Sequence, residues 1–258
     1  MSATAAAEPV RLDHVILLTE NLDRAAELFA RLGFTVTPRT EHSPAMGTAN
    51  CCVMLAGTYI EILTVLRPTE RSAGWRALLA QGDGLRGIAL RIDDAEQTAR
   101  ALGAAGFPMD PPIAFDRLDD RGQRLSFKVC RLPAAETPGF RLILCQHETP
   151  ELVWRPEWLD HANGARDIRA ASLALPDPAL ARAVLGRVGA ALPRAPARAE
   201  VAFTPASEPS RLTIAVADLD RAARALDAAG FTPYRHGPRL TLDLTATLDL
   251  MLTLDAGP

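Results

Sequence analysis

Apolar and polar positions along this chain follow two alternating rhythms, and the switch between them recurs four times. A short apolar run comes first: HVILL (14–18), GIALRI (87–92), ASLAL (171–175) and LTIAV (212–216). Runs rich in β-branched and large apolar residues read as buried strands. A helical period then takes over in NLDRAAELFARLGF (21–34), DDAEQTARALGAAGF (93–107), DPALARAVLGRVGA (177–190) and DLDRAARALDAAGF (218–231). In the first copy Leu22, Ala25, Ala26, Phe29 and Leu32 share one face, while Arg24, Glu27 and Arg31 fall on the other. Asn21, Asp94, Asp177 and Asp218 stand where an N-cap belongs. Gly33, Gly106, Gly189 and Gly230 close the copies as left-handed C-caps. The pattern predicts helices over 22–32, 95–105, 178–188 and 219–229.

Strand patterns follow each helix. They are FTVTPRT (34–40), ANCCVMLA (49–56) and YIEILTVL (59–66) in the first copy, and FPMDPPIAF (107–115), QRLSFKVCRL (123–132) and FRLILCQH (140–147) in the second. The third is abbreviated to ALPRAPA and AEVAFTPA; the fourth has FTPYRHG, RLTLDLTA and TLDLMLTL. The repeating unit is βαβββ, so the fold class is α+β, and a site between repeats is expected. The predicted organisation is a disordered tail at 1–9 and a pair of modules at 10–147 (10–66 and 84–147). A linker at 148–167 and a second, degenerate pair at 168–258 complete it.

Composition narrows the function. The net charge of −3 gives no basic footprint for nucleic acid or an anionic membrane. No apolar run approaches the roughly 20 residues of a membrane span, and MSATAAAEP lacks the features of a secretory signal. The four cysteines show no metal-type CxxC spacing, and the adjacent Cys51 and Cys52 read as reduced thiols of core or pocket. A cytoplasmic protein, monomeric or homodimeric, is the expectation.

Tandem βαβββ modules containing LDHVILLTENLDRAAELFARLGF and YIEIL resemble the vicinal oxygen chelate superfamily. Its members include glyoxalase I, extradiol dioxygenases, epimerases, fosfomycin-resistance enzymes and bleomycin-binding proteins. EHSPAMGTANCCVMLAGTYIEIL (41–63) resembles the H-x(n)-GT-x-N…YLEL signature of the glyoxalase-like domain subgroup, and WLDHANGARDI (158–168) resembles that subgroup's linker. The resemblance is densest through residue 66, continues to about 168 and thereafter lies in the module pattern. It implies curved mixed sheets around a cleft, with helices outside and metal ligands on inward strands.

In that superfamily each contributing module gives His from its first strand and Glu from its fourth. His14 and Glu61 match the first module's positions; Gly87 and Ile143 occupy the second module's, and Ala170 and Arg211 the later first-strand positions. Imidazole plus carboxylate suits a divalent transition metal, but two ligands hold one weakly; His147 or His42 is a candidate third. No cofactor is firmly predicted beyond a weakly bound divalent metal. Read from the residues alone, His14 is either a cleft group or a hydrogen-bonded core histidine. Glu61 shares its strand face with Tyr59 and Leu63, so it is either outward and solvated or inward and functional. His42, Thr48 and Asn50, in and after the HSPAMGT loop, are candidate substrate-binding residues or a plain turn. Trp154 either closes over a ligand or pins the linker. His161, Asn163 and Gly164 read as linker structure, and His236 as surface.

Two functions from different classes follow. One is a glyoxalase-like enzyme, a lyase, isomerase or hydrolase, acting on a small polar organic molecule with Glu61 as general base. The other is a metal-free protein that binds or sequesters a small molecule.

Overall fold

Each of the four expected helices begins at a side chain that accepts a backbone N–H. Asn21 accepts from Arg24, Asp94 from Gln97, Asp177 from Leu180, and Asp218 from Asp220 and Arg221. The computed structural model describes residues 8–194 and 196–257. In its first half the chain runs β1 (Glu8–Val10), β2 (Leu12–Leu18), α1 (Leu22–Arg31), β3 (Thr40–Glu41), β4 (Thr48–Met54), β5 (Tyr59–Val65), α2 (Ala73–Leu79), β6 (Gly84–Arg91), α3 (Ala95–Ala104), β7 (Ile113–Leu118), β8 (Arg124–Arg131) and β9 (Arg141–His147). A connecting segment holds α4 (Pro150–Val153) and one 3-10 turn (Pro156–Trp158). Then come β10 (Ala165–Leu175), α5 (Pro178–Ala191), β11 (Ala199–Pro205), β12 (Ser210–Val216), α6 (Leu219–Ala228), β13 (Tyr234–His236), β14 (Arg239–Asp243), α7 (Thr245–Leu248) and β15 (Leu250–Asp255).

The strands form two mixed sheets, ordered β3-β4-β5-β2-β6-β9-β8-β7 and β1-β11-β10-β12-β15-β14-β13. Each is centred on an antiparallel pair, β2–β6 or β10–β12. Each central strand has the last strand of its own repeat beside it in parallel: β5, β9, β11 and β15. This is the tandem βαβββ arrangement, and the abbreviated third repeat is completed from elsewhere. β1 pairs antiparallel with β11, as β4 pairs with β5. Thus Glu8 and Pro9, in the segment expected to be a tail, belong to a strand; residues 1–7 lie outside the described residues.

Other differences have local causes. Gly33, Gly106 and Gly230 take φ of +86°, +86° and +79°, as left-handed caps should. Gly189 does not, because α5 runs on to Ala191. It stops at Leu192, in extended conformation before Pro193, which disfavours a helical residue ahead of it. The expected strand at 34–40 shrinks to Thr40–Glu41. Thr37 still bonds Cys52, but Pro38 has no N–H to continue a ladder. ALPRAPA, which includes Ala195 outside the described residues, forms no strand among the described ones.

One apolar core joins both sheets through the four helices. It contains Leu12, Val15 and Leu17 of β2, Phe29 of α1, Leu102 of α3, Val184 of α5, Phe203 of β11 and Leu226 of α6. The opposite face of the first sheet carries separate clusters, including Cys52, Tyr59 and Phe127 in one and Ile16, Leu63 and Trp75 in the other. Among the described residues no helix is long and apolar enough to cross a membrane.

Candidate active site

Strand alternation sets what the first sheet presents to the side away from the helices. Tyr59, Glu61 and Leu63 of β5, Thr48, Asn50 and Cys52 of β4, and Phe127, Val129 and Arg131 of β8 all line one cavity. His14, His42, Met46, Trp75, Phe115, Arg117, Ile143 and Cys145 complete it. Its volume is about 70 Å³, room for several water molecules.

β2 departs from simple alternation. Its pairing with β6 slips between Leu12 and His14, so Asp13 is the extra residue of a β-bulge. Leu12 and Val15, three apart, therefore face the same core. The bulge brings the carboxylate of Asp13 to its neighbour, and His14 Nδ1 lies 2.8 Å from Asp13 Oδ2. His147 Nε2 meets the same oxygen at 2.9 Å, and Arg91 Nε donates to Oδ1 at 2.6 Å. Asp13 is fully buried. Burial pushes its pKa up, yet the hydrogen bonds from His14 and His147 hold it well below the usual carboxylate range. An ionised carboxylate only accepts, so His14 carries its proton on Nδ1. In the neutral imidazole the lone pair then lies on Nε2, on the cavity side.

There it meets Glu61, whose Oε2 lies 3.6 Å from His14 Nε2. The β2–β5 register places Ile16 beside Glu61, which puts the glutamate two positions along from His14. Asn50 Nδ2 donates to the other oxygen, Oε1, at 2.6 Å. The Tyr59 ring stacks on His14 with centroids 4.3 Å apart. Burial pushes the Tyr59 phenol and the Cys145 thiol well above their ordinary values, and Cys52 up to about 12. These groups stay neutral near pH 7, which leaves His14, Glu61 and His42 as the side chains at the cavity able to accept a proton.

His14, Glu61, His42, Thr48 and Asn50 are thus brought to one cavity. His42 Nδ1 pairs with Thr48 Oγ1 at 2.7 Å. Trp154 and His147 are not among the lining residues. Trp154 donates to the Leu55 carbonyl at 3.0 Å, and the Arg91 guanidinium lies 4.2 Å from its ring centre, so it pins the connecting segment. His147 is spent on Asp13, and its Nδ1 is buried with no partner among the described residues. His161, as expected of linker structure, bridges Thr35 and Met54. His236 is exposed. Sequence reasoning passed over Asp13, Arg117 and Arg131. For Arg131 a signal existed: it ends the alternating series Phe127, Val129, Arg131.

The register also tests the residues that stand in the second module. Ala89 pairs with Ile143 two places after Gly87, just as Ile16 pairs with Glu61 two places after His14. Gly87 and Ile143 are therefore the counterparts of His14 and Glu61, and neither can coordinate a metal. A Cβ at Gly87 would already sit 3.0 Å from Ile16 Cδ1 and 3.1 Å from the Arg141 carbonyl. Among the described residues one set of three donors, Asp13, Cys145 and His147, lies within 4.8 Å of one another. Its aspartate already holds the cation of Arg91 and the ring of His147, both of which a metal would have to displace, so it suits a metal poorly. His14 and Glu61 alone fall short of the three protein ligands of a catalytic zinc site. The donors present do not fit a tightly held metal.

Burial lowers the pKa of His42, with Arg117 and Arg131 adding to it against Glu61, and burial likewise lowers that of His161. Below about pH 6.5 the unfolded chain therefore binds protons at these sites before the folded one does. Stability should fall on acidification from there, by at most about 1.4 kcal/mol per pH unit for each histidine. Denaturant titrations between pH 7 and pH 5 should show a shallower loss in His42→Gln than in wild type; identical slopes would remove His42 from this account.

A family model for a glyoxalase-like domain matches residues 12–189, from β2 to the end region of α5. The chain belongs to the glyoxalase-like domain family. It is a member of the vicinal oxygen chelate superfamily. No curated protein matches it. Among solved structures, this glyoxalase-like chain is similar to a hypothetical protein from Staphylococcus aureus, with TM-score 0.68 and 13% identity over 95% of this chain and 98% of that one. It is also similar to a mutant of 4-hydroxymandelate synthase from Streptomyces coelicolor, with TM-score 0.59 and 12% identity over 96% and 93%. A methylmalonyl-CoA epimerase from Mycobacterium tuberculosis matches 60% of this chain and 97% of its own, with TM-score 0.43 and 22% identity. For the first two, at these identities, the likeness is one of fold.

Proposed function

We propose that this glyoxalase-like protein is an enzyme that removes a proton from a small polar organic molecule, with Glu61 as general base and His14 as its partner. The observation that carries the reading is the 3.6 Å approach of Glu61 Oε2 to His14 Nε2 at the cavity wall. Asn50 occupies Oε1, so Oε2 is the oxygen free to take a proton. In the neutral tautomer that Asp13 selects, His14 Nε2 is an acceptor. Once Oε2 is protonated it can donate to Nε2, so His14 stabilises the acid form of Glu61 that the reaction creates. The negative charge that passes from Glu61 to the substrate faces Arg117 and Arg131, which line the same cavity.

A second reading, a metal-free binding protein, draws support from Gly87 and Ile143, which leave half of the superfamily's ligand positions empty of donors. One experiment separates the two. Protein dialysed against a chelator is incubated in D2O with a panel of small 2-hydroxy and 2-oxo acids, aldehydes and esters, and proton exchange is followed by NMR. We expect exchange on at least one compound, slowed at least about 100-fold in Glu61→Gln with little change in melting temperature. Compounds that bind without exchanging would favour the binder. Exchange that vanishes on dialysis and returns with added zinc, iron, manganese or nickel would overturn the metal-free mechanism. Equal rates in wild type and Glu61→Gln would remove Glu61 as the base.

A further inference from the structure

Beside the inner cavity lies a second hollow of about 260 Å³ that shares three of its walls, Trp75, Arg131 and Ile143. Its other lining includes Arg71 and Arg141. Arg71 is exposed at its edge, whereas Arg131 and Arg141 are partly buried. Several arginines of the chain are paired with carboxylates: Arg11 with Asp93, Arg91 with Asp13, Arg124 with Asp116, Arg155 with Asp119 and Asp120. Arg71, Arg131 and Arg141 are different. Among the described residues no carboxylate comes within 4.0 Å of any of them, and the hydrogen bond Arg131 makes is to the Met46 thioether at 3.7 Å.

Desolvating guanidinium groups without a counter-charge is unfavourable, and gathering three of them adds mutual repulsion. Burial lowers the pKa of Arg131, and Arg141 and Arg71 lower it further against the pull of Glu61. The chain also makes room for this arrangement. A Cβ at Gly74 in α2 would overlap the Arg141 guanidinium. Gly74 lies in the first turn of α2, so a side chain there would shift the flexible end of Arg141 and not break the helix. Asp110, also at the rim of the hollow, comes within ion-pair distance of none of the three.

We infer that Arg131 and Arg141, with Arg71 at the mouth, form an oxyanion-binding subsite that takes the carboxylate or phosphate group of a small organic anion. Guanidinium forks match both groups in geometry and charge. Arg131 borders both hollows, so an anion held there places the rest of the molecule in the inner cavity beside Glu61. Assigning that end as the reacting one rests on the proposed function; the anion subsite does not.

The test is calorimetric titration at low ionic strength with inorganic phosphate and, separately, with acetate. We expect saturable binding of at least one. Arg131→Gln and Arg141→Gln should each weaken it at least about tenfold, and Gly74→Ala should do the same by displacing Arg141. Glu61→Gln should bind as tightly as wild type or tighter, whatever its effect on proton exchange. Melting temperature gives an independent readout: removing an unpaired cation should leave Arg131→Gln at least as stable as wild type. Binding of phosphate alone assigns a phosphate ester, acetate alone a carboxylic acid, and both a general oxyanion site. Saturation by neither, or unchanged affinity in Arg131→Gln and Arg141→Gln, overturns the subsite. A Glu61→Gln variant that keeps full proton exchange while anion binding stays intact would overturn the proposed base and leave the subsite standing.

Discussion

Replacing Asp13 with asparagine is expected to remove about 3–5 kcal/mol of stability, the usual loss when one partner is taken from a buried charged network. Three donors converge on this carboxylate: Arg91 Nε at 2.6 Å, His14 Nδ1 at 2.8 Å and His147 Nε2 at 2.9 Å. Its side chain has no exposed surface, so water cannot replace them. An amide keeps one acceptor and turns an N–H₂ toward a donor, while the part-buried Arg91 loses its counter-charge. Urea denaturation should show a lower midpoint with an unchanged slope. The pH dependence adds a check. The folded-state pKa of Asp13 lies below its unfolded value, so its contribution is complete above about pH 4 and shrinks as the pH falls below it. Asp13→Asn should lose most at neutral pH and approach wild type in acid. A loss under about 1 kcal/mol at pH 7 would mean that the network is not what holds β2 to β6 and β9.

Local signals in the sequence carried furthest. Asn21, Asp94, Asp177 and Asp218 cap their helices because the cap needs only a side-chain oxygen and the next turn of backbone. Glu61 was legible as a face-mate of Tyr59 and Leu63, since period-2 alternation holds along β5. Asp13 was not. Alternation sends it away from His14, and the bulge that returns it is defined by pairing with β6, some 75 residues away. Arg131 stands in the right alternating series, but nothing near it says which face of β8 looks into the cavity. The N-terminal strand β1 was hidden for the same reason: three residues, EPV, become a strand only because the third repeat leaves β11 with an open edge. Register with distant strands decided each of these, and it cannot be read from neighbours in sequence.

The core that joins the two sheets makes the other large prediction. Phe203 of β11 meets Phe140, at the entry to β9, with ring centres 5.3 Å apart, and each is 1% exposed. Gly139, at φ +86°, packs its backbone against Pro176 at the same junction. Truncating Phe203 to alanine should cost about 3–5 kcal/mol through lost burial and the cavity left behind. The location of the tryptophans shows how far that loss spreads. All three, Trp75, Trp154 and Trp158, precede β10, so their fluorescence reports the first sheet and its connecting segment. Far-UV circular dichroism reports both sheets. If the shared core makes the chain one cooperative unit, Phe203→Ala will lower the fluorescence midpoint as much as the dichroism midpoint, although the mutated residue belongs to the second sheet. A fluorescence transition that stays at the wild-type midpoint while the dichroism splits in two would show that each sheet unfolds independently and that the Phe140–Phe203 contact couples nothing.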